Sequence, residues 1–304
     1  MNAQAEQSAP RPAAGSALLQ EGEAAKKKGH HGMNVTFRQL ADNIRQNVVY
    51  GPQVNYVQAA SPAVHAAYRE HMAPLMLVGG GPSINWLKPV IRTALREPHV
   101  RMVTTNAAYG WALSHGFVPH MQIMVDARPE NAEMLSSLLP NPQCLYLLAS
   151  QVHPDVVARV PRKQVTFWHN DASTEVRGFI KRYDTRWAAT KNAAPFIVGG
   201  PTVMLRALHL LHLMGWDNIS VMGMDCGWTG DDSSHGYAQE PDGEVRTFDI
   251  EGRPYYATDW MLAQAQDFYR LMKMMPSLRV CLFGDTLLAK MMTRNGLPNV
   301  FVSK

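Results

Sequence analysis

From residue 74 onward, short apolar runs alternate with longer amphipathic stretches. The runs fall at 75–78, 101–104, 121–125, 144–149, 165–168, 196–198, 219–222 and 280–283. Nearly every position in them is apolar. A strand buried on both faces has that pattern, whereas a half-exposed strand alternates. Helical spacing fills the intervals, near 84–96, 107–115, 130–138, 153–159, 174–182, 201–215, 258–275 and 285–295. Strand and helix in strict alternation predict a mostly parallel sheet with helices on both faces. The stretch from Thr202 to Met214 is apolar almost all round (Val203, Leu205, Leu208, Leu210, Leu211, Leu213), so this helix is expected to be deeply buried.

Two regions depart from the alternation. Upstream, Phe37, Leu40, Ile44 and Val48 mark an amphipathic helix over 34–50, and a second helical piece spans 61–72. Residues 33–73 are therefore read as a helical arm packed on an α/β domain of Rossmann-like type over 74–304. Residues 1–32 have hardly any large apolar side chain and are expected to be a disordered tail. Downstream, residues 227–257 hold Gly227, Gly230, Gly236, Gly243 and Gly252 among acids and a histidine. Two short strands are predicted there, 245–248 and 254–257, joined near Glu251 and Gly252. A long irregular insertion of this kind tends to be a functional lid.

Composition narrows the classes. The 304 residues are 46% hydrophobic and 18% charged, with a net charge of +4. A pI near 8.9 is mild and partly due to Lys26, Lys27 and Lys28. It favours anionic ligands slightly and gives no case for nucleic acid. Cys144, Cys226 and Cys281 are far apart and odd in number, which excludes a disulfide framework and a zinc knuckle. No apolar run is long enough for a membrane span, and no secretory leader is evident. A cytoplasmic protein is expected. A homo-oligomer is compatible with the sequence.

Ligands of open parallel sheets bind outside the carboxyl ends of the strands. Gly79, Gly80, Gly81, Pro82 and Ser83 follow the first predicted strand, and Thr105-Asn106 follow the second. Asp126 follows the third. Gly199, Gly200, Pro201 and Thr202 follow the run at 196–198, and Gly223 and Asp225 follow the run at 219–222. The two glycine turns echo each other, each running from an apolar strand through glycines and a proline to a hydroxyl residue and a helix. Glycine allows close backbone approach, and a helix N-terminus suits an anion. Two such cradles suit a nucleotide phosphate chain; the alternative is a pair of convenient turns. Neither matches a Walker loop or a dinucleotide fingerprint. Asp126 and Asp225 are candidates for a Mg2+ ion against phosphates, or for ribose hydroxyls, or for helix caps. His235, on the lid, is a candidate general base or acid.

These motifs, with Leu213-Met214-Gly215-Trp216-Asp217-Asn218-Ile219, Gly223-Met224-Asp225 and Ser234-His235-Gly236, resemble the MptE-like domain family. That family includes archaeal 6-hydroxymethyl-7,8-dihydropterin diphosphokinases and the central domain of flagellin-modifying Maf proteins. The resemblance covers about residues 74–290. It implies that Gly80, Gly81, Pro82, Ser83 and Asn106 contact a nucleotide, that Asp126 and Asp225 lie at the phosphate or metal, and that His235 lies near the acceptor. The second motif departs from the family's usual Gly-Ser-Val, and Cys226 and Gly227 follow Asp225 where the family often has leucine.

Three functions compete. The first is ATP-dependent diphosphoryl transfer to a pterin-like alcohol, with Mg2+ and a flat-ring slot drawn from Trp86, Tyr109, Trp111 and Trp228. The second is glycosyl transfer from a nucleotide-sugar such as a CMP-activated nonulosonic acid, with His235 as base. The third is a non-catalytic binding protein. The first ranks narrowly ahead, because extra domains usually flank the Maf core. Its partners are a nucleotide and a small-molecule acceptor.

Overall fold

The computed structural model describes residues 35–49, 55–70, 75–132, 141–184, 196–230, 233–241 and 243–303. The expected tail, 1–32, lies outside them, as does most of the helix expected at 130–138.

Eight parallel strands form the main sheet. They are β1 (Leu75–Val78), β2 (Arg101–Thr105), β3 (Met121–Met124), β4 (Leu145–Ala149), β5 (Val165–Trp168), β6 (Asn218–Met222), β10 (Arg279–Phe283) and β11 (Val300–Ser303). Their order is β11-β10-β6-β1-β2-β3-β4-β5, and every pairing is parallel. The chain winds outward from β1 to β5, then returns to the other side of β1 with β6. Strand order therefore reverses between β1 and β6, and a crevice opens at such a switch point. Leu75, Leu77, Val78, Met102, Val103 and Ile123 at the middle of the sheet are fully buried, which is what their continuous apolar runs require.

Helices cover both faces. α3 (Lys88–Ala94) and α4 (Ala108–Ser114) follow β1 and β2, while α5 (Pro154–Ala158), α6 (Thr174–Tyr183) and α7 (Val203–Leu213) lie between β4 and β6. α8 (Asp259–Met274) and α9 (Leu287–Asn295) flank β10. α7 is as buried as expected: Met204, Leu205, Ala207, Leu208, Leu210 and Leu211 are all inside, and Arg206 is buried with them. The arm comprises α1 (Phe37–Val49) and α2 (Pro62–Glu70). Leu40, Ile44 and Val48 of α1 pack on Val176, Phe179 and Ile180 of α6. Asn43 and Asn47 donate to the carbonyls of Ala127, Gln151, Ser150 and Val152, which pins α1 to the carboxyl edge of the sheet.

The insertion folds as a separate three-stranded antiparallel sheet, β7 (Trp228–Thr229), β9 (Arg253–Thr258) and β8 (Val245–Ile250). The hairpin turns at Glu251 and Gly252, both left-handed, as the sequence indicated.

Three expectations change. The run at 196–198 is not a sheet strand. Ile197 makes one isolated bridge to Asn170, beyond the end of β5, and Gly199 and Gly200 stop it from extending. The helix expected at 84–96 splits into a one-turn 3-10 helix, Pro82–Asn85, and α3. Pro89 lacks an N–H to continue the helical ladder and is tolerated only in a first turn, so the helix restarts there. β11 was not anticipated: it is a four-residue edge strand with two exposed positions, so it lacks the continuous burial of the inner strands.

Candidate functional site

A cleft of about 760 Å3 lies at the carboxyl edge, over the switch point. Gly80, Gly81 and Pro82 after β1, Asn106 after β2, Asp126 after β3 and Asp225 after β6 all border it. Thr202, Arg206 and His235 also line it, with Val35 and Leu40 of the arm. The rim residues singled out in the sequence thus converge, with exceptions that change their roles.

The first glycine turn is locked onto β6. Gly79 N donates to Met222 O, and Gly81 N to Gly223 O, each at 2.8 Å. Ser83 is fully buried, and both its groups face Asp225: the backbone N–H donates to Oδ2 at 2.7 Å and the hydroxyl to Oδ1 at 2.6 Å. Gly223 N in turn donates to Ser83 Oγ at 3.2 Å. A Cβ on Gly79 would lie 2.6 Å from Gly223 O, and one on Gly81 2.6 Å from Asp225 Oδ2. The glycines are there so that two loops can touch. The expected phosphate cradle is therefore corrected: most of its amides point at protein acceptors, and a 3-10 turn stands where a helix N-terminus was expected. Neither Gly79 nor Ser83 lines the cleft.

The second turn also differs from a cradle. Gly200 is left-handed, and a Cβ there would strike Asp267; a Cβ on Gly199 would strike the backbone of Leu205 and Arg206. Gly199 presses the chain onto the first turn of α7 and Gly200 onto Asp267 of α8, and neither lines the cleft. Thr202 does, and its Oγ1 is buried without a hydrogen-bond partner among the described residues. Asn106 Oδ1 is in the same condition. Asn106 is held in a left-handed conformation (φ 43°), and Gln122 Nε2 donates to its carbonyl at 2.9 Å from a fully buried position in β3. Buried polar atoms without partners are uncommon in proteins and mark places where a ligand can complete the set.

Sequence reading missed Arg206. Its Nε donates to Asn170 Oδ1 and its Nη1 to Thr202 O at 3.2 Å. Burial lowers its pKa to about 10, against the pull of Asp267 and Asp171, so it stays charged at neutral pH. A guanidinium at a cleft wall offers planar donors of the kind that suit a phosphate or carboxylate. A lone arginine inside an otherwise apolar helix was the available signal.

His235 is half-buried, and burial pulls its imidazole below the usual range. Ser234 Oγ lies 3.0 Å from His235 Nδ1 and 3.2 Å from Gln239 O, and the Gln239 carbonyl also bonds the imidazole. The segment is anchored by Gly236 N, donating to Gly80 O at 2.9 Å, and by Tyr237, which packs against Gly80.

The two carboxylates do not present an open metal cage. Asp126 accepts from Arg128 at both oxygens, and Asp225 is engaged at both oxygens by Ser83. The four aromatic residues expected to grip a flat ring do not line the cleft. Tyr109 and Trp111 are core residues, Trp86 is exposed, and Trp228 stacks on Tyr256. Tyr237 and Trp260 are the large aromatics at the cleft.

A Rossmann-like parallel sheet with a rim cleft bordered by an inserted segment defines a protein of the α/β class. The chain belongs to the MptE-like family, described as 6-hydroxymethylpterin diphosphokinase MptE-like, whose model matches residues 38–231, more than half of its length. Its fold is similar to that of a Maf glycosyltransferase from Magnetospirillum magneticum AMB-1, with a TM-score of 0.65 and 14% identity. That similarity covers 90% of this chain and 39% of the neighbour, so the chain spans well under half of the Maf protein. A mammalian sialyltransferase in complex with Gal-beta-1-3GalNAc-ortho-nitrophenol superimposes at a TM-score of 0.36 and 10% identity, over 91% and 88% of the two chains, too loosely to bear on the site. No curated protein matches the sequence significantly. The family description and the neighbour's name are both those of transferases.

Proposed function

We propose that the chain transfers a group from a nucleotide-activated donor bound in the rim cleft, and that glycosyl transfer from a nucleotide-sugar is the reaction. The observation that carries this reading is the pairing, in one cleft, of the half-buried His235 imidazole with the buried Arg206 cation. In such a reaction the acceptor hydroxyl attacks the anomeric carbon, and its proton passes to His235. Arg206 offsets the charge on the departing nucleotide phosphate. Asn106 and Thr202 offer polar atoms for the nucleotide. Diphosphoryl transfer to a pterin-like alcohol, which ranked first from sequence, is the second reading. The family description favours it. The engaged carboxylates count against it, since that chemistry relies on an oxygen-ligated cation.

Thermal melting with a nucleotide panel separates the readings. CMP or a CMP-sugar is expected to raise the Tm without added metal, as mass action requires of any ligand that binds only the folded chain. Arg206→Lys is expected to weaken that binding by about tenfold, because a point ammonium cannot reproduce the planar fork. A rise with ATP that needs Mg2+ would favour the diphosphokinase. No shift with any nucleotide would leave the non-catalytic alternative.

A further inference from the structure

At the opposite edge of the sheet, three side chains from distant parts of the sequence converge. His65 comes from α2 in the arm, His212 from the last turn of α7, and Asp217 from the residue just before β6. One donor atom of each lies within 4.8 Å of the other two, and among the described residues this is the one such trio of histidine, cysteine or acidic groups. Both imidazoles face the carboxylate through Nδ1, at 3.0 Å for His65 and 2.9 Å for His212, measured to the same Oδ1 of Asp217. Asp217 precedes β6 and the cleft follows it, so the length of a strand, about 17 Å, separates the two.

We propose that His65, His212 and Asp217 hold one divalent transition-metal ion of the Zn2+ class, which clips the arm to the core. Two imidazoles and a carboxylate are a recurrent donor set for such ions, and they leave a fourth position for water. At ordinary Zn–N and Zn–O lengths, neighbouring ligand atoms of a tetrahedral site are about 3.3 Å apart. The two imidazole–carboxylate spacings need to widen by only a few tenths of an ångström.

Two further observations point the same way. His212 turns its buried Nδ1 toward Asp217, and its Nε2 lies 3.2 Å from Ser277 Oγ. Deprotonated at Nδ1, as a metal ligand must be, the imidazole would carry its proton on Nε2 and donate it to Ser277. Outer partners of this kind orient metal-bound histidines. His212 also sits at the C-terminal end of α7, where the helix dipole favours a cation. The clip has a mechanical consequence. Ala60 N already donates to Leu213 O at 2.7 Å, so a bound ion would join the arm to the helix whose other end presents Thr202 and Arg206 to the cleft.

The test uses the full chain carrying His30→Ala and His31→Ala, which removes histidines of the tail from the count. The protein is stripped with EDTA and titrated with Zn2+ by calorimetry, with its Tm followed in parallel. One tightly bound ion per chain and a rise in Tm reversed by EDTA are expected. His65→Ala and His212→Gln should each weaken uptake by about 100-fold, and Ser277→Ala by about tenfold. Circular dichroism in EDTA reports whether each variant is folded. Should one unfold, X-ray absorption on the Zn2+-loaded parent decides, since two imidazole nitrogens and a carboxylate must appear around the ion. No uptake by the parent, or equal uptake by folded His65→Ala and His212→Gln, would overturn the site and leave adventitious binding only.

Discussion

Asp225 and Asp126 look alike in the sequence, each an acid just past a strand, yet their surroundings separate them. Asp225 is buried and accepts two hydrogen bonds from Ser83. In Asp225→Asn one of those acceptors becomes an NH2 group facing a donor. Leaving a buried donor without a partner costs about 1–3 kcal/mol. Asp126 pairs with the half-exposed Arg128, a contact that solvent screens. Asp126→Asn should therefore stay within about 0.5 kcal/mol of the wild type. Urea unfolding of both variants checks the contrast, and equal midpoints would show that the bonds from Ser83 to Asp225 do not hold the loop. The same geometry changes the meaning of Gly81. Its φ of −66° needs no glycine; the constraint is the carboxylate 2.6 Å from where a Cβ would sit.

At the scale of elements, helix ends show how local chemistry stops and starts the chain. α6, α8 and α9 begin at Ser173, Thr258 and Thr286, whose side chains accept from backbone N–H groups in the first turn. α9 ends at Gly296, left-handed at φ 60°, whose N–H donates to Met292 O at 3.1 Å. A Cβ there would meet nothing within 4 Å. Gly296→Ala thus isolates the backbone cost of that conformation, expected at about 1 kcal/mol. Chemical denaturation should show a lower midpoint at an unchanged slope. An unaffected midpoint would mean that the helix end relaxes without the left-handed cap.

Over the whole molecule, buried imidazoles set the response to acid. Burial lowers the pKa of His120, His169, His209, His212 and His235. The unfolded chain then takes up protons at a higher pH than the folded one does. These groups leave stability intact above about pH 6.5 and reduce it as the pH falls through that value toward the folded pKa values. The Tm in EDTA should fall steadily from about pH 7.5 to about pH 5. A Tm that holds level or rises over that range would contradict the assigned burial of these side chains. No helix among the described residues is long and apolar enough to cross a membrane.

Periodicity in the chain by itself determined the strands, the buried helix and the hairpin of the inserted sheet. Strands buried on both faces must be continuously apolar, and a helix surrounded by protein must be apolar all round, so burial is written locally. The reading failed where the local signal was weak: at 196–198, where two glycines end the run, and at 300–303, a short edge strand with two exposed positions. Placement of rim residues after strand ends was also legible, because parallel strands deliver all their carboxyl ends to one edge. The partner of each polar atom was not. Ser83 and Asp225 are 142 residues apart, and His65 and Asp217 are 152 apart. Arg206 reads as an oddity until Asn170 and the cleft stand beside it. A hydrophobic side chain needs only to leave water, and any core serves. A hydrogen bond or an ion site needs a particular atom at about 3 Å, and only the docking of β6 beside β1, and of the arm on α7, decided which atom that is.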